Sequence, residues 1–150
     1  MVTARGAEEL RELVGRHLGY SRWTLITQEK VTGFADLTGD AQWIHVDPQR
    51  AAESTFGGTV AHGHLVLSLA PMLLADIWEV QGFSMSVNYG CDRVRFLGPV
   101  RVGAELRAGA ALETLEPVRG GVETKLKVVF EVRERRVPVC VARLVLRNYV

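Results

Sequence analysis

Two long stretches in the second half of the chain alternate apolar and polar residues with a period of two. In residues 122–132, Val122, Thr124, Leu126, Val128, Phe130 and Val132 share one face, and Glu123, Lys125, Lys127 and Glu131 share the other. Successive strand residues point to opposite sides, so this pattern demands a sheet with one face on a core and one in water. Residues 102–112 repeat it, with Val102, Ala104, Leu106, Ala108, Ala110 and Leu112 inward. Turn signals at Pro117 to Gly121 and Glu134 to Arg136 imply hairpins, hence an antiparallel sheet. The last strand, 139–149, alternates less cleanly, as edge or interface placement would explain. Between Phe83 and Phe96 the apolar phase slips from odd positions (Met85, Val87, Tyr89) to even ones (Val94, Phe96), which a bulge near Cys91-Asp92 accounts for.

Such a sheet needs something to bury its apolar face. From Gly63 to about Trp78 the chain is apolar nearly all round, the pattern of a buried helix, with Pro71 expected to kink or divide it. Ahead of it the chain reads as short elements. Residues 7–17 place Leu10, Leu13, Val14 and His17 on one helical face, and Trp23 to Ile26 reads as a brief strand. Thr27 suits the N-cap of a second helix with Val31, Phe34 and Leu37 on its apolar face and Gly39 at its end. Residues 39–47 read as a loop, and Asp47-Pro48 starts another short helix through Ala52. The expected class is α+β: one domain, 1–150, with an antiparallel sheet wrapped around a long central helix. The sheet covers that helix on one side only, so a homodimer is expected to bury the rest.

The chain has 150 residues, 47% of them apolar, enough for one globular core. Lys and Arg number 18 against 17 Asp and Glu, scattered along the chain, which gives no electrostatic case for a nucleic-acid partner or an anionic membrane. Cys91 and Cys140 lie far apart in strand-like segments and read as buried free thiols in a reducing compartment. The charged N-terminus has no signal-peptide h-region, and Leu65 to Ala75 is too short to span a bilayer. A cytoplasmic protein is expected.

Functional side chains are densest in the run Gly39 to Asp47. A carboxylate beside an imidazole is a workable acid–base pair, and a turning loop can bring Asp40 and His45 to one volume. Two readings stand at this level: that pair, or a turn carboxylate and an ordinary half-buried histidine. The run Phe56 to Leu65 leads glycines straight into the apolar helix. Its first N–H groups outline an oxyanion hole, which Gly63 leaves open to a carbonyl; a glycine-rich lead that merely permits tight packing is the other reading. His62 and His64, with Asp40, His45 and Asp47, match no familiar metal-ligand spacing, so no metal is expected. Ser68 lacks a nucleophile elbow and fits a hydrogen-bonding role. Arg93 and Arg95 read as a solvated strand face, with Tyr89 on the same strand.

Taken together, GDAQWIHVDP and FGGTVAHGHLVLSL resemble the MaoC-like (R)-specific enoyl-CoA hydratases, especially the NodN-like subgroup and actinobacterial probable enoyl-CoA hydratases. ITQEKVTGFADLTGD upstream and VNYGCDRVRFLGPV downstream extend the similarity over nearly the whole chain. The resemblance implies a hotdog fold with the Gly63–Trp78 helix as its sausage. It implies that Asp40 and His45 are the catalytic pair, that the Gly63 N–H holds a thioester carbonyl and that Ser68 lines the site. The commoner family pattern has Asn-Pro where this chain has Gln42-Trp43. Gln42 keeps an amide suited to orienting His45 or Asp40, and Trp43 is expected to reshape the acyl tunnel. The implied reaction is (R)-specific hydration of trans-2-enoyl thioesters and the reverse dehydration, with CoA as substrate carrier and no cofactor. A hotdog acyl-CoA thioesterase and a non-catalytic acyl-thioester binding subunit are the alternatives.

Overall fold

The computed structural model of the protein describes residues 1–150. In chain order its elements are β1 (Val2–Arg5), α1 (Gly6–Glu12), β2 (His17–Tyr20), β3 (Thr24–Leu25), α2 (Gln28–Thr38), α3 (Trp43–Val46), α4 (Pro48–Ala52), α5 (Gly63–Ser68), α6 (Ala70–Leu74), β4 (Trp78–Gln81), β5 (Met85–Phe96), β6 (Glu105–Val118), β7 (Gly121–Val132) and β8 (Cys140–Tyr149). The large sheet runs β2-β6-β7-β8-β5, antiparallel throughout, with β3 also on β6. Val118 pairs with Gly121 across a two-residue turn in which Gly120 takes φ 78°, a left-handed value that tight hairpins require.

The alternation resolves as expected. Leu106, Ala108, Ala110 and Leu112 of β6 and Val122, Thr124, Leu126, Val128 and Phe130 of β7 are buried. They meet Leu65, Val66, Leu73, Leu74 and Ile77 in one core, a sheet curled around helix in the hotdog manner. Burial of each Val, Leu, Ile or Phe side chain among them is worth about 1.5–3 kcal/mol. The phase slip in β5 is a bulge, with a register shift between Cys91 and Val94 and Arg93 at φ 55°.

Several expectations need correction. The long central helix is two short ones: the apolar run divides, as expected of Pro71, breaking at Leu69 into α5 and α6 with Pro71 in the first turn of α6. Proline has no N–H for the Leu67 carbonyl, so a division there is what its chemistry dictates. Trp78 belongs to β4, which pairs in parallel with β1. α1 ends at Glu12, and His17 lies in β2 on an exposed face. On α2 the cap residues are as expected: Thr27 Oγ1 accepts from the Lys30 N–H at 3.3 Å, and Gly39 is left-handed. Its buried face is Val31 and Ala35, however, and Leu37 is 84% exposed.

The strand 139–149 is interior, between β7 and β5. Its alternation is broken because β5 shifts register against it twice, and both Leu144 and Val145 become buried. The long edge is β5 itself, half or fully exposed along its length. Cys140 is buried as expected, but Cys91, on that edge, is exposed. No helix is long and apolar enough to cross a membrane.

Candidate active site

Three separate segments meet where α2 ends and α5 begins. Gly39 turns the chain out of α2 in the left-handed conformation and sets Asp40 at the surface. The next residues, expected as loop, close one helical turn, α3, which buries His45 to 7% exposure. That turn is strapped to the chain ahead of α5: the Val60 N–H donates to the Ile44 carbonyl at 3.0 Å, and Val60 bridges Arg101.

Gln28, in the first turn of α2, completes the strap. Its amide N–H donates to the His45 carbonyl at 2.7 Å, and its oxygen accepts from the Thr59 hydroxyl at 2.6 Å. Sequence reasoning gave this orienting role to Gln42, whose side chain is exposed and makes no capping bond. Gln28 carried no signal of its own, because an amide at a helix start is unremarkable without the fold.

The His45 Nδ1 lies 2.6 Å from the Val60 carbonyl. A carbonyl only accepts, so Nδ1 carries the hydrogen and Nε2 is the nitrogen left free for chemistry. By the same reasoning the His62 Nε2–H donates to the Asp40 carbonyl at 2.9 Å. An Asp40 carboxylate oxygen and one ring nitrogen each of His45 and His62 lie within 4.8 Å of one another. Such a donor set suggests a cation, but the two rings are stacked, 3.7 Å between centroids and 24° between planes. Imidazole lone pairs lie in the ring plane, and planes so placed intersect far beyond the roughly 2 Å reach of a metal–nitrogen bond. The arrangement fits shared protons and a water better than an ion.

A cleft of about 390 Å³ opens beside His45, lined mainly by apolar groups that include Ile44, Phe56, Val66, Phe96 and Val100. Gly63 lies in its wall, and as the first residue of α5 its N–H has no carbonyl in the helix to bond. A Cβ there would stand 2.9 Å from the Phe96 ring, so glycine keeps this wall open by close approach and not by an unusual φ. Cys140 also lines the cleft; burial, and secondarily Cys91, push its thiol up to about 11, so it stays protonated at neutral pH.

Of the expected site residues, Asp40, His45 and Gly63 come together. Ser68 does not: it lines a different groove, with Asn88, Tyr89 and Cys91 of β5. Trp43 is not part of the cleft wall and packs under the Arg50 guanidinium, 4.4 Å from the ring centroid.

Residues 9–133 match the family model described as MaoC like domain. The chain belongs to the MaoC-like dehydratase family. This MaoC-like chain is 43% identical over 148 residues to 3-hydroxyacyl-thioester dehydratase Z of Mycobacterium tuberculosis, covering 98% of each. It is 39% identical over 137 residues to Nodulation protein N of Rhizobium meliloti, covering 89% of this chain and 85% of that one. Its fold is shared by the (R)-hydratase from A. caviae involved in PHA biosynthesis, with a TM-score of 0.70, 24% identity and coverage of 88% and 96%. The MaoC-like chain is thus an enzyme of the hydratase–dehydratase class, a lyase with the hotdog fold.

Proposed function

We propose that this MaoC-like protein adds water to trans-2-enoyl-CoA thioesters to give (3R)-hydroxyacyl-CoA, and catalyses the reverse dehydration. The observation that carries the reading is the carboxylate of Asp40 beside the imidazole of His45, next to an apolar cleft with Gly63 in its wall. In hydration the Gly63 N–H donates to the thioester carbonyl, drawing electrons from the double bond and leaving C3 electrophilic. Asp40 and His45 hold one water. Its oxygen bonds to C3 as Asp40 takes a proton, and the double-bond electrons pass to the enolate oxygen. The enolate then collapses as C2 takes a proton from His45.

With Nδ1 committed to Val60, that proton leaves from Nε2, so His45 acts as imidazolium in this step, and Asp40 returns its proton to His45 afterwards. The net change is one H and one OH added from one face, a syn addition. No cofactor enters the scheme. The name of the M. tuberculosis relative, a 3-hydroxyacyl-thioester dehydratase, supports a thioester substrate. The apolar cleft suits its acyl chain.

The proposal includes a homodimer formed through β5. That strand pairs only with β8 and leaves its other edge free, with Met85, Tyr89 and Phe96 45–57% exposed. A long free edge that carries these exposed apolar side chains is open to pairing with a second copy. A cytoplasmic location accords with a CoA substrate and two unbridged cysteines.

The test follows loss of conjugated enoyl absorbance with crotonyl-CoA and longer trans-2-enoyl-CoAs, with chiral product analysis and a free-thiol assay alongside. A (3R) product, lost in Asp40→Asn, supports the reading. Thiol release without hydration replaces it with thioesterase chemistry.

A further inference from the structure

His62, directly ahead of α5, is 3% exposed, and its ring meets Asp40, His45 and Phe34. Its Nε2–H donates to the Asp40 carbonyl, one face stacks on His45, and the Phe34 ring packs against it at 5.0 Å and 54°. Its Nδ1 is buried with no partner. An apolar ring of the same shape would fill this space without stranding a polar atom, so packing alone does not explain an imidazole here. The hydrogen bond to Asp40 does.

The turn that carries Asp40 is otherwise held only locally, by the Ala41 N–H on the Gly39 carbonyl and the Asp40 N–H on the Thr38 hydroxyl. The bond from His62 is the link that ties Asp40 to a distant part of the chain. His45 has a complementary need. Its ring is hydrogen-bonded at Nδ1 alone, about which it can tilt, and a face-to-face neighbour removes that freedom.

We propose that His62 is a positioning residue that fixes, through one ring, both the main chain at Asp40 and the ring plane of His45. The inference rests on the acid–base reading of that pair. It assigns His62 no contact with substrate, in keeping with a ring that is 3% exposed and enclosed by Asp40, His45 and Phe34. Displacement of a reacting group by about 1 Å typically costs on the order of a hundredfold in rate, which sets the scale of the effect.

The experiment compares two variants of the whole protein. His62→Phe keeps a ring on His45 but has no donor for Asp40; His62→Gln supplies an amide N–H near the Nε2 position but no ring. Thermal unfolding checks that both fold, and kcat and KM are measured with crotonyl-CoA. The Phe variant, which loses the tether, is expected to lose about 10- to 100-fold in kcat with KM within about threefold, and the Gln variant, which keeps the tether but not the stacked ring, to fall between the Phe variant and wild type. Wild-type kcat in the Phe variant overturns the proposal. Equal losses in both variants with a raised KM also overturn it, because they mean that His62 shapes the cleft and not the pair.

Amide hydrogen exchange of residues 39–42 reads the same tether without turnover. It is expected to accelerate in the Phe variant and not in the Gln variant, and unchanged exchange in the folded Phe variant refutes the tether. A protein that hydrates nothing yet shows the faster exchange in the Phe variant has lost the functional reading and kept the tether.

Discussion

Gly63→Ala separates the chemistry of the cleft from the stability of the fold. The added Cβ would lie 2.9–3.0 Å from three atoms of the Phe96 ring, at or inside the limit of real contacts, so the ring must shift. In the protomer Phe96 is 45% exposed on the edge strand, and turning it away from Gly63 costs about 0.5–1.5 kcal/mol for a strained rotamer. Alanine in place of glycine in a helix returns up to about 1 kcal/mol. The two effects nearly cancel, and the melting temperature is expected to stay within about 4 °C of wild type. Activity is expected to respond very differently. The methyl stands beside the N–H proposed to hold the thioester carbonyl, and loss of one such donor typically costs about 10²–10³ in kcat. Hydration of crotonyl-CoA, followed by absorbance, and a circular dichroism melt of the same sample measure both. An Ala variant that turns over within threefold of wild type would refute carbonyl binding at Gly63. A fall in melting temperature beyond 10 °C would show instead that the glycine serves packing.

Other substitutions probe the remaining parts. Asp40 is exposed and its carboxylate accepts no hydrogen bond within the chain, so Asp40→Asn should change stability by less than about 0.5 kcal/mol while lowering the hydration rate by about 10²–10⁴. Gln28→Leu removes the bonds to the His45 carbonyl and the Thr59 hydroxyl, worth about 2 kcal/mol together, and should lower the melting temperature by about 4–8 °C; an unchanged melt would mean that the strap is idle. Tyr89→Asp should convert a sedimenting dimer to monomer, and a wild-type protein that sediments as monomer rules out the β5 interface. The Arg22 hydrogen bond holds the Asp76 carboxyl below its ordinary value, so the pair adds stability above the unfolded carboxylate pKa that is lost as pH falls through the folded one. Acid melts of Asp76→Asn should therefore flatten below about pH 4 relative to wild type.

How far the sequence could be read depends on whether a structural cause is local. The alternation of β6 and β7, the Thr27 and Asp47 caps, the Gly39 stop and the β5 bulge were all legible, because each depends on neighbours a few residues away. β1 was not, since Val2–Arg5 is a strand only by virtue of Trp78–Gln81, and nothing in four residues announces a partner so remote. The division of the apolar run was legible at Pro71, but the end of the helical path before Trp78 was not. At the candidate site, Asp40, His45 and Gly63 were singled out through the motif that contains them, and the structure places them close together. Gln28 and the tethering part of His62 were missed, because each acts through a main-chain carbonyl that has no letter of its own. Ser68 was placed at the site by resemblance, and in this chain it borders another groove.

The Val60 carbonyl that fixes the His45 tautomer has an evolutionary consequence. Replacing the side chain at position 60 does not delete the acceptor, since every residue brings the same C=O. The proton inventory of the imidazole is therefore shielded from single-codon change, whereas enzymes that orient a histidine with a carboxylate can lose that control in one step. The walls of the cleft have no such protection. Phe56, Phe96 and Leu97 can change and reshape the cleft while the orientation of His45 is inherited intact.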